Sequence, residues 1–121
     1  MKMAEWNRNK KMFKDIHNFG YPYFHIHPYK QKTVKVMVDN INANIDYLII
    51  FGRSVQDWHM WWKDLDYCII GDSKIICIPK TTEHTYHCLD YKDLDCILQA
   101  KSYSDVKYHI KTEGVMVYEK N

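Results

Sequence analysis

Apolar residues in this chain come in short bursts separated by glycine, proline and charge, and the spacing within each burst predicts an element. Over residues 3–18, Trp6, Phe13 and Ile16 fall roughly on one helical face among Lys and Asn, which predicts a helix. Asn18-Phe19-Gly20-Tyr21-Pro22 closes it, because Gly and Pro continue a helix only at a cost. Residues 21–30 are aromatic and irregular, with Pro22 and Pro28. A second helix is predicted over 31–42, with Val34, Val38 and Ile41 on one stripe and Met37 beside it. Residues 46–51 run apolar up to Gly52, the pattern of a buried strand, and a short helix or turn follows from Arg53 to about Trp58. Further strands are predicted over 65–70, closed by Gly71-Asp72, over 74–78, stopped by Pro79, and over 94–98. Residues 79–91 give no clear pattern. Residues 104–112 read as a helix with Ser104 as N-cap, Val106 and Ile110 inward and Gly114 as C-cap, and 115–118 as a last strand. Strands and helices interleave, so the expected class is α/β or α+β, a small mixed sheet flanked by helices.

Composition narrows this further. At 121 residues the chain is one domain's worth, and 46% hydrophobic with 26% charged residues is an ordinary globular balance. No apolar run approaches the roughly 18 residues of a membrane span, and the charged opening Met1-Lys2-Met3-Ala4-Glu5-Trp6 is not a secretory signal. The expected setting is therefore cytoplasmic, with no membrane partner. Cys68, Cys77, Cys88 and Cys96 have no short regular spacing, and three of them sit in apolar runs where a thiol acts as a small buried hydrophobe. His84, His87 and Cys88 are close in sequence, yet no Cys-x-x-Cys pair exists to close a zinc site.

Net charge is only +2, too little to point to nucleic acid. Its distribution is uneven: residues 1–38 carry eight Lys/Arg against two acids, and residues 39–121 carry nine against thirteen. A basic front of this kind is either a docking surface for an acidic partner or a solvated helix face.

One stretch carries candidate chemistry: Ile49-Ile50-Phe51-Gly52-Arg53-Ser54, nine residues, then Asp64-Leu65-Asp66-Tyr67-Cys68-Ile69-Ile70. A glycine at the end of a strand permits a tight turn and a close backbone approach by a ligand. Backbone N–H groups at a following helix start attract phosphate. On the next strand Asp64 and Asp66 share a face, about 7 Å apart, and can converge on hard cations. A third carboxylate is available on the run Leu94-Asp95-Cys96-Ile97-Leu98, where Asp93 and Asp95 share a face and Asp95 is the more deeply embedded.

These residues resemble the minimal nucleotidyltransferase family of the DNA polymerase β superfamily. Its signature is an apolar strand, Gly-Ser, about ten residues, then Asp-x-Asp on the next strand. The resemblance covers about residues 31–119 and leaves 1–30 as an N-terminal extension, a helix plus an aromatic segment. It implies a nucleotidyltransferase-like fold for 31–121 and transfer of a nucleoside monophosphate from an NTP, ATP being the expected donor, to an acceptor hydroxyl. It assigns Asp64, Asp66 and Asp95 as catalytic and as ligands of two Mg²⁺ ions, and Gly52, Arg53 and Ser54 to the phosphates. Here the chain departs from the family order, with Arg53 where the serine would stand and Ser54 one step later; a guanidinium suits phosphate well. The resemblance also suggests an antitoxin-type partner of a HEPN-domain toxin. The alternative is a catalytically degenerate module of the same fold that acts by protein–protein binding.

Trp58, Trp61 and Trp62 cannot all face inward on one turn, so a stacking or partner-anchoring surface is expected there alongside core packing. A protein partner would use these tryptophans or the basic N-terminal region. His25 and His27 are read as solvent-facing, and Tyr21, Tyr23 and Tyr29 as cover for the core.

Overall fold

The computed structural model describes all residues except 15, 18, 42, 57–62 and 73–83. Its elements, in chain order, are α1 (Met3–Asn7), a 3-10 turn (Tyr23–His25), α2 (Pro28–Asp39), β1 (Ile45–Phe51) and a second 3-10 turn (Gly52–Ser54). Then come β2 (Asp64–Gly71), β3 (Thr85–Tyr91), α3 (Asp95–Leu98), α4 (Val106–Glu113) and β4 (Val115–Glu119). The four strands form one mixed sheet in the order β3-β2-β1-β4. β1 is antiparallel to both β2 and β4, and β2 is parallel to β3. The α+β class with a small mixed sheet is therefore as the pattern predicts.

Alternation along the strands divides the core between the two faces of the sheet. On one face Leu48, Ile50, Leu65, Tyr67, Ile69, Val115 and Val117 meet Ile26, Val34 and Met37 from the α2 side. On the other, Ile49, Phe51, Cys68, Ile70 and Met116 meet Trp6 of α1, Ile97 of α3 and Ile110 of α4. Both faces being covered explains why β1 and the second half of β2 read as continuous apolar runs.

Helix α2 starts three residues earlier than the predicted 31–42 and ends at Asp39. Pro28 occupies the first helical position, where its missing N–H costs nothing, and the His27 side chain accepts from Tyr29 N. The helix buries Lys30, Gln31, Val34 and Met37. The boundary between residues 30 and 31 thus falls inside α2.

Helix α1 is far shorter than the predicted 3–18. Trp6 Nε1 donates to Gly114 O (2.9 Å), and the Asn7 amide pairs reciprocally with Met116, donating to its O (2.7 Å) and accepting from its N (2.9 Å). Beyond that point Lys10 Nζ donates to Thr112 O (2.7 Å) at the end of α4. These contacts draw the chain away from a helical path, leaving Ile16 exposed and Phe13 half-buried.

The predicted strand over 94–98 is a correction: Asp95–Leu98 is helix α3. Asp93 Oδ1 accepts from Cys96 N (3.1 Å), turning the chain, and Leu94 and Ile97, three apart, are buried together. The strand missing from the reading is β3, in the stretch that gave no pattern. The predicted strand over 74–78 and Cys77 lie outside the described residues. On α4 the N-cap is Asp105, not Ser104, and Val106 is exposed while Ile110 is buried. Gly114 caps it with φ −63°, not left-handed; a Cβ there would stand 2.7 Å from Ile49 Cγ2. His25 is buried against Lys11 O (3.2 Å), contrary to its solvent-facing reading. Tyr23 is buried as expected, whereas Tyr21 and Tyr29 are exposed. Among the described residues no helix is long and apolar enough to cross a membrane.

Candidate functional site

The end of β1 builds the site. Gly52 takes φ +74°, a left-handed conformation that only glycine adopts freely, and its carbonyl accepts from both Val55 N and Gln56 N. The turn is tied to the start of α2 by His27 N donating to Ser54 O (2.7 Å). Register sets what stands beside it: Phe51 pairs with Asp66 across the antiparallel β1–β2 ladder, and Asp66 pairs with His87 across the parallel β2–β3 ladder. Asp64, two residues earlier, shares the face of Asp66.

Gly52 and Asp66 meet closely. A Cβ on Gly52 would lie 2.4 Å from Asp66 Oδ2, 3.2 Å from its Cγ and 3.3 Å from its Cβ. The absence of a side chain at position 52 is therefore what gives the Asp66 carboxylate its place. Asp64, Asp66, His87, Phe51, Leu89 and Val106 line a shallow hollow of about 330 Å³. His87 Nε2 stands 3.4 Å from Asp64 Oδ1, both side chains being about half exposed.

Cations surround the pair. Lys30, only 1% exposed, reaches up from α2 and donates through Nζ to the carbonyl of Asp64. Burial pushes its ammonium down to about 8, against the pull of Asp66 and Asp64 and with a further push from Arg53. The Asp66 carboxyl is held above its ordinary range by burial, with Asp64 adding to the effect and His87, Lys30 and Arg53 opposing it.

Of the residues expected at the site, Gly52, Arg53, Asp64 and Asp66 are gathered. Arg53 is exposed and acts electrostatically on both Asp66 and Lys30. Ser54 is fully buried, and among the described residues its Oγ has no hydrogen-bond partner. Asp95 is not gathered. It is exposed at the start of α3 and is neither among the residues lining the hollow nor among the charges acting on Asp66. Asp93 is occupied in turning the chain into α3. Trp58, Trp61 and Trp62 lie outside the described residues.

Two residues of the site escaped the sequence reading. His87 stands level with Asp66 on the neighbouring strand β3. Its signal was the alternation Thr85-Tyr86-His87-Cys88-Leu89, muted because the strand is exposed along much of its length. Lys30 gave no signal, since a lysine at a helix start ordinarily reads as solvated.

The donor set does not fit two resident Mg²⁺ ions. Two carboxylates face the hollow, the third donor is an imidazole, and a buried ammonium lies beneath. Among the described residues no three His, Cys, Asp or Glu side chains stand close enough together to hold a metal ion. A second cavity of about 400 Å³ adjoins the same turn through Val55 and Gln56 and is lined also by Asn9, Lys10, Lys11, Thr112 and Glu113. Gln56 Nε2 donates to Glu113 Oε2 at its edge (2.6 Å). Comparison of the chain with protein-family models, with curated proteins and with solved structures gives no match.

Proposed function

We propose that this chain is a nucleotidyltransferase-type domain that binds a nucleoside triphosphate, ATP first, at the Gly52–Ser54 turn and the Asp64–Asp66 face. The observation that carries the reading is the direct approach of Gly52 to Asp66. A left-handed glycine turn set against a pair of same-face carboxylates has little purpose in a sheet that needs only to fold. In this reading Arg53 and the backbone of the turn receive the β and γ phosphates. An acceptor hydroxyl oxygen attacks the α-phosphorus, and the bond from that phosphorus to the bridging oxygen breaks. Pyrophosphate leaves with the electron pair. The hydroxyl proton passes to Asp66, whose carboxyl burial holds above its ordinary range.

The second reading is a catalytically degenerate module that acts by binding a protein, with a HEPN-type toxin as the suggested partner. It is favoured by one observation: Asp95 stands away from the other two carboxylates, and His87 occupies the neighbouring place. Calorimetric titration with ATP, with and without Mg²⁺, separates the two. Binding that falls at least tenfold in Asp66→Asn supports the nucleotide site. Undiminished binding in that variant, or none in the wild type at millimolar ATP, removes it and leaves the protein-binding reading.

A further inference from the structure

The two expected magnesium ions and the residues gathered at the site disagree, and Lys30 is at the centre of the disagreement. Asp64 and Asp66 bring two negative charges. Lys30 and Arg53, both acting on Asp66, bring two positive ones. A resident divalent cation needs an excess of anionic donors, and here the charges are level. The third side chain at this level, His87, is an imidazole and adds no negative charge.

Lys30 differs from Arg53 in being fixed. It is 1% exposed, its stem lies in the first turn of α2 beside buried Gln31, and its Nζ donates to the backbone of β2 at Asp64. Arg53 is exposed and free to leave with a bound phosphate. The Lys30 ammonium cannot turn out to solvent without emptying a core position, so its charge stays at the Asp64 backbone.

We propose that Lys30 is the built-in counter-cation of the Asp64–Asp66 pair, so that the nucleotide-free site takes up no divalent cation. Lys30 is a positioning residue in this account. Its backbone bond fixes the first residue of β2, and its charge occupies the electrostatic role that a resident metal would fill. Under the nucleotide reading, on which the inference rests for its purpose, a divalent ion reaches the site only together with the oxygens of the triphosphate.

The test uses Mn²⁺ alone, followed by electron paramagnetic resonance, with no nucleotide present. The wild type is expected to leave millimolar Mn²⁺ free. Lys30→Met and Lys30→Gln, the latter keeping a donor for the Asp64 carbonyl, are expected to bind Mn²⁺ roughly tenfold more tightly or better, since the positive charge held at the Asp64 backbone is removed. Adding Asp66→Asn to either variant is expected to abolish the gain. A merely structural lysine would change stability without creating this metal dependence. Mn²⁺ binding by the wild type that Asp66→Asn abolishes overturns the proposal, and that measurement stands even if neither Lys30 variant folds. Folded Lys30 variants that gain no affinity overturn it as well. The ATP titration is independent: its failure with the Mn²⁺ pattern intact removes the nucleotide reading and leaves the role of Lys30 in place.

Discussion

Replacing Gly52 by alanine tests whether the turn and the carboxylate are built as one unit. Two costs are expected. An L-residue held at φ +74° pays roughly 1–2 kcal/mol for its left-handed backbone. The new methyl would also stand 2.4 Å from Asp66 Oδ2. Rotating the carboxylate relieves that contact only in part, because Asp66 Cγ and Cβ lie at 3.2 and 3.3 Å. The strand must yield as well, at about 1–3 kcal/mol for overpacking. The sum is about 2–5 kcal/mol, a large share of the roughly 5–15 kcal/mol that holds a domain folded. The chain contains its own control: Gly20 has φ +82° with nothing within 4 Å of the added Cβ, so Gly20→Ala reports the backbone cost alone. The assay is urea unfolding of both variants, with the midpoint shift read at constant slope. Gly52→Ala is expected to be more destabilising than Gly20→Ala by about 1–3 kcal/mol, with much of the excess disappearing in an Asp66→Ala background. Equal costs for the two glycines, or an excess unchanged by Asp66→Ala, would refute the reasoning.

Further outcomes follow from the packing. Asn7→Ala orphans the buried N–H and carbonyl of Met116 and is expected to cost about 2–4 kcal/mol in urea unfolding, with faster hydrogen exchange at Met116; a loss below about 1 kcal/mol with unchanged protection contradicts it. Burial pushes the Lys10 ammonium down from 10.5 to about 8, with Glu113 pulling the other way. The unfolded chain then keeps a proton that the native state has released between those values, so stability is expected to rise with pH across the window. Lys30 adds a slope of the same sign, so Lys10→Met should flatten the pH profile of the melting temperature only in part, and an unaltered profile would count against the half-buried Lys10. Cys68 is fully buried and its thiol is pushed up by burial, whereas Cys88 is exposed. Mass mapping after brief treatment with a thiol reagent should find Cys88 modified and Cys68 intact until the protein is unfolded; equal labelling would contradict the packing of β2.

The sheet was legible where burial on both faces leaves an unbroken apolar run. β1 and β2 announced themselves this way, and β4 did so through Val115-Met116-Val117. β3 lies at the edge of the sheet with residues such as Thr85, His87 and Asp90 exposed, so neither face enforces a pattern. The run Leu94–Leu98 is too short for its period to be read, and what decides it is the bond from Cys96 N to Asp93, which turns the chain into α3. The same two failures divided the candidate site. Asp64, Asp66 and Gly52 follow from one strand–turn–strand unit and were found. His87 depends on the parallel register of β3, and Lys30 on how α2 is laid under β2, and neither relation is local in sequence.

The docking of α1 onto β4 also orders events in time. Trp6 and Asn7 bond to Gly114 and Met116, partners more than a hundred positions downstream, and Met3 N reaches Glu119 Oε1 (3.1 Å). On a ribosome adding roughly 5–20 residues each second, this opening segment must wait several seconds for its seat to be made. Until then the indole N–H of Trp6 lacks its acceptor, the Gly114 carbonyl. β4 therefore releases α1 from waiting, and this face of the sheet closes only once Gly114 and Met116 have emerged.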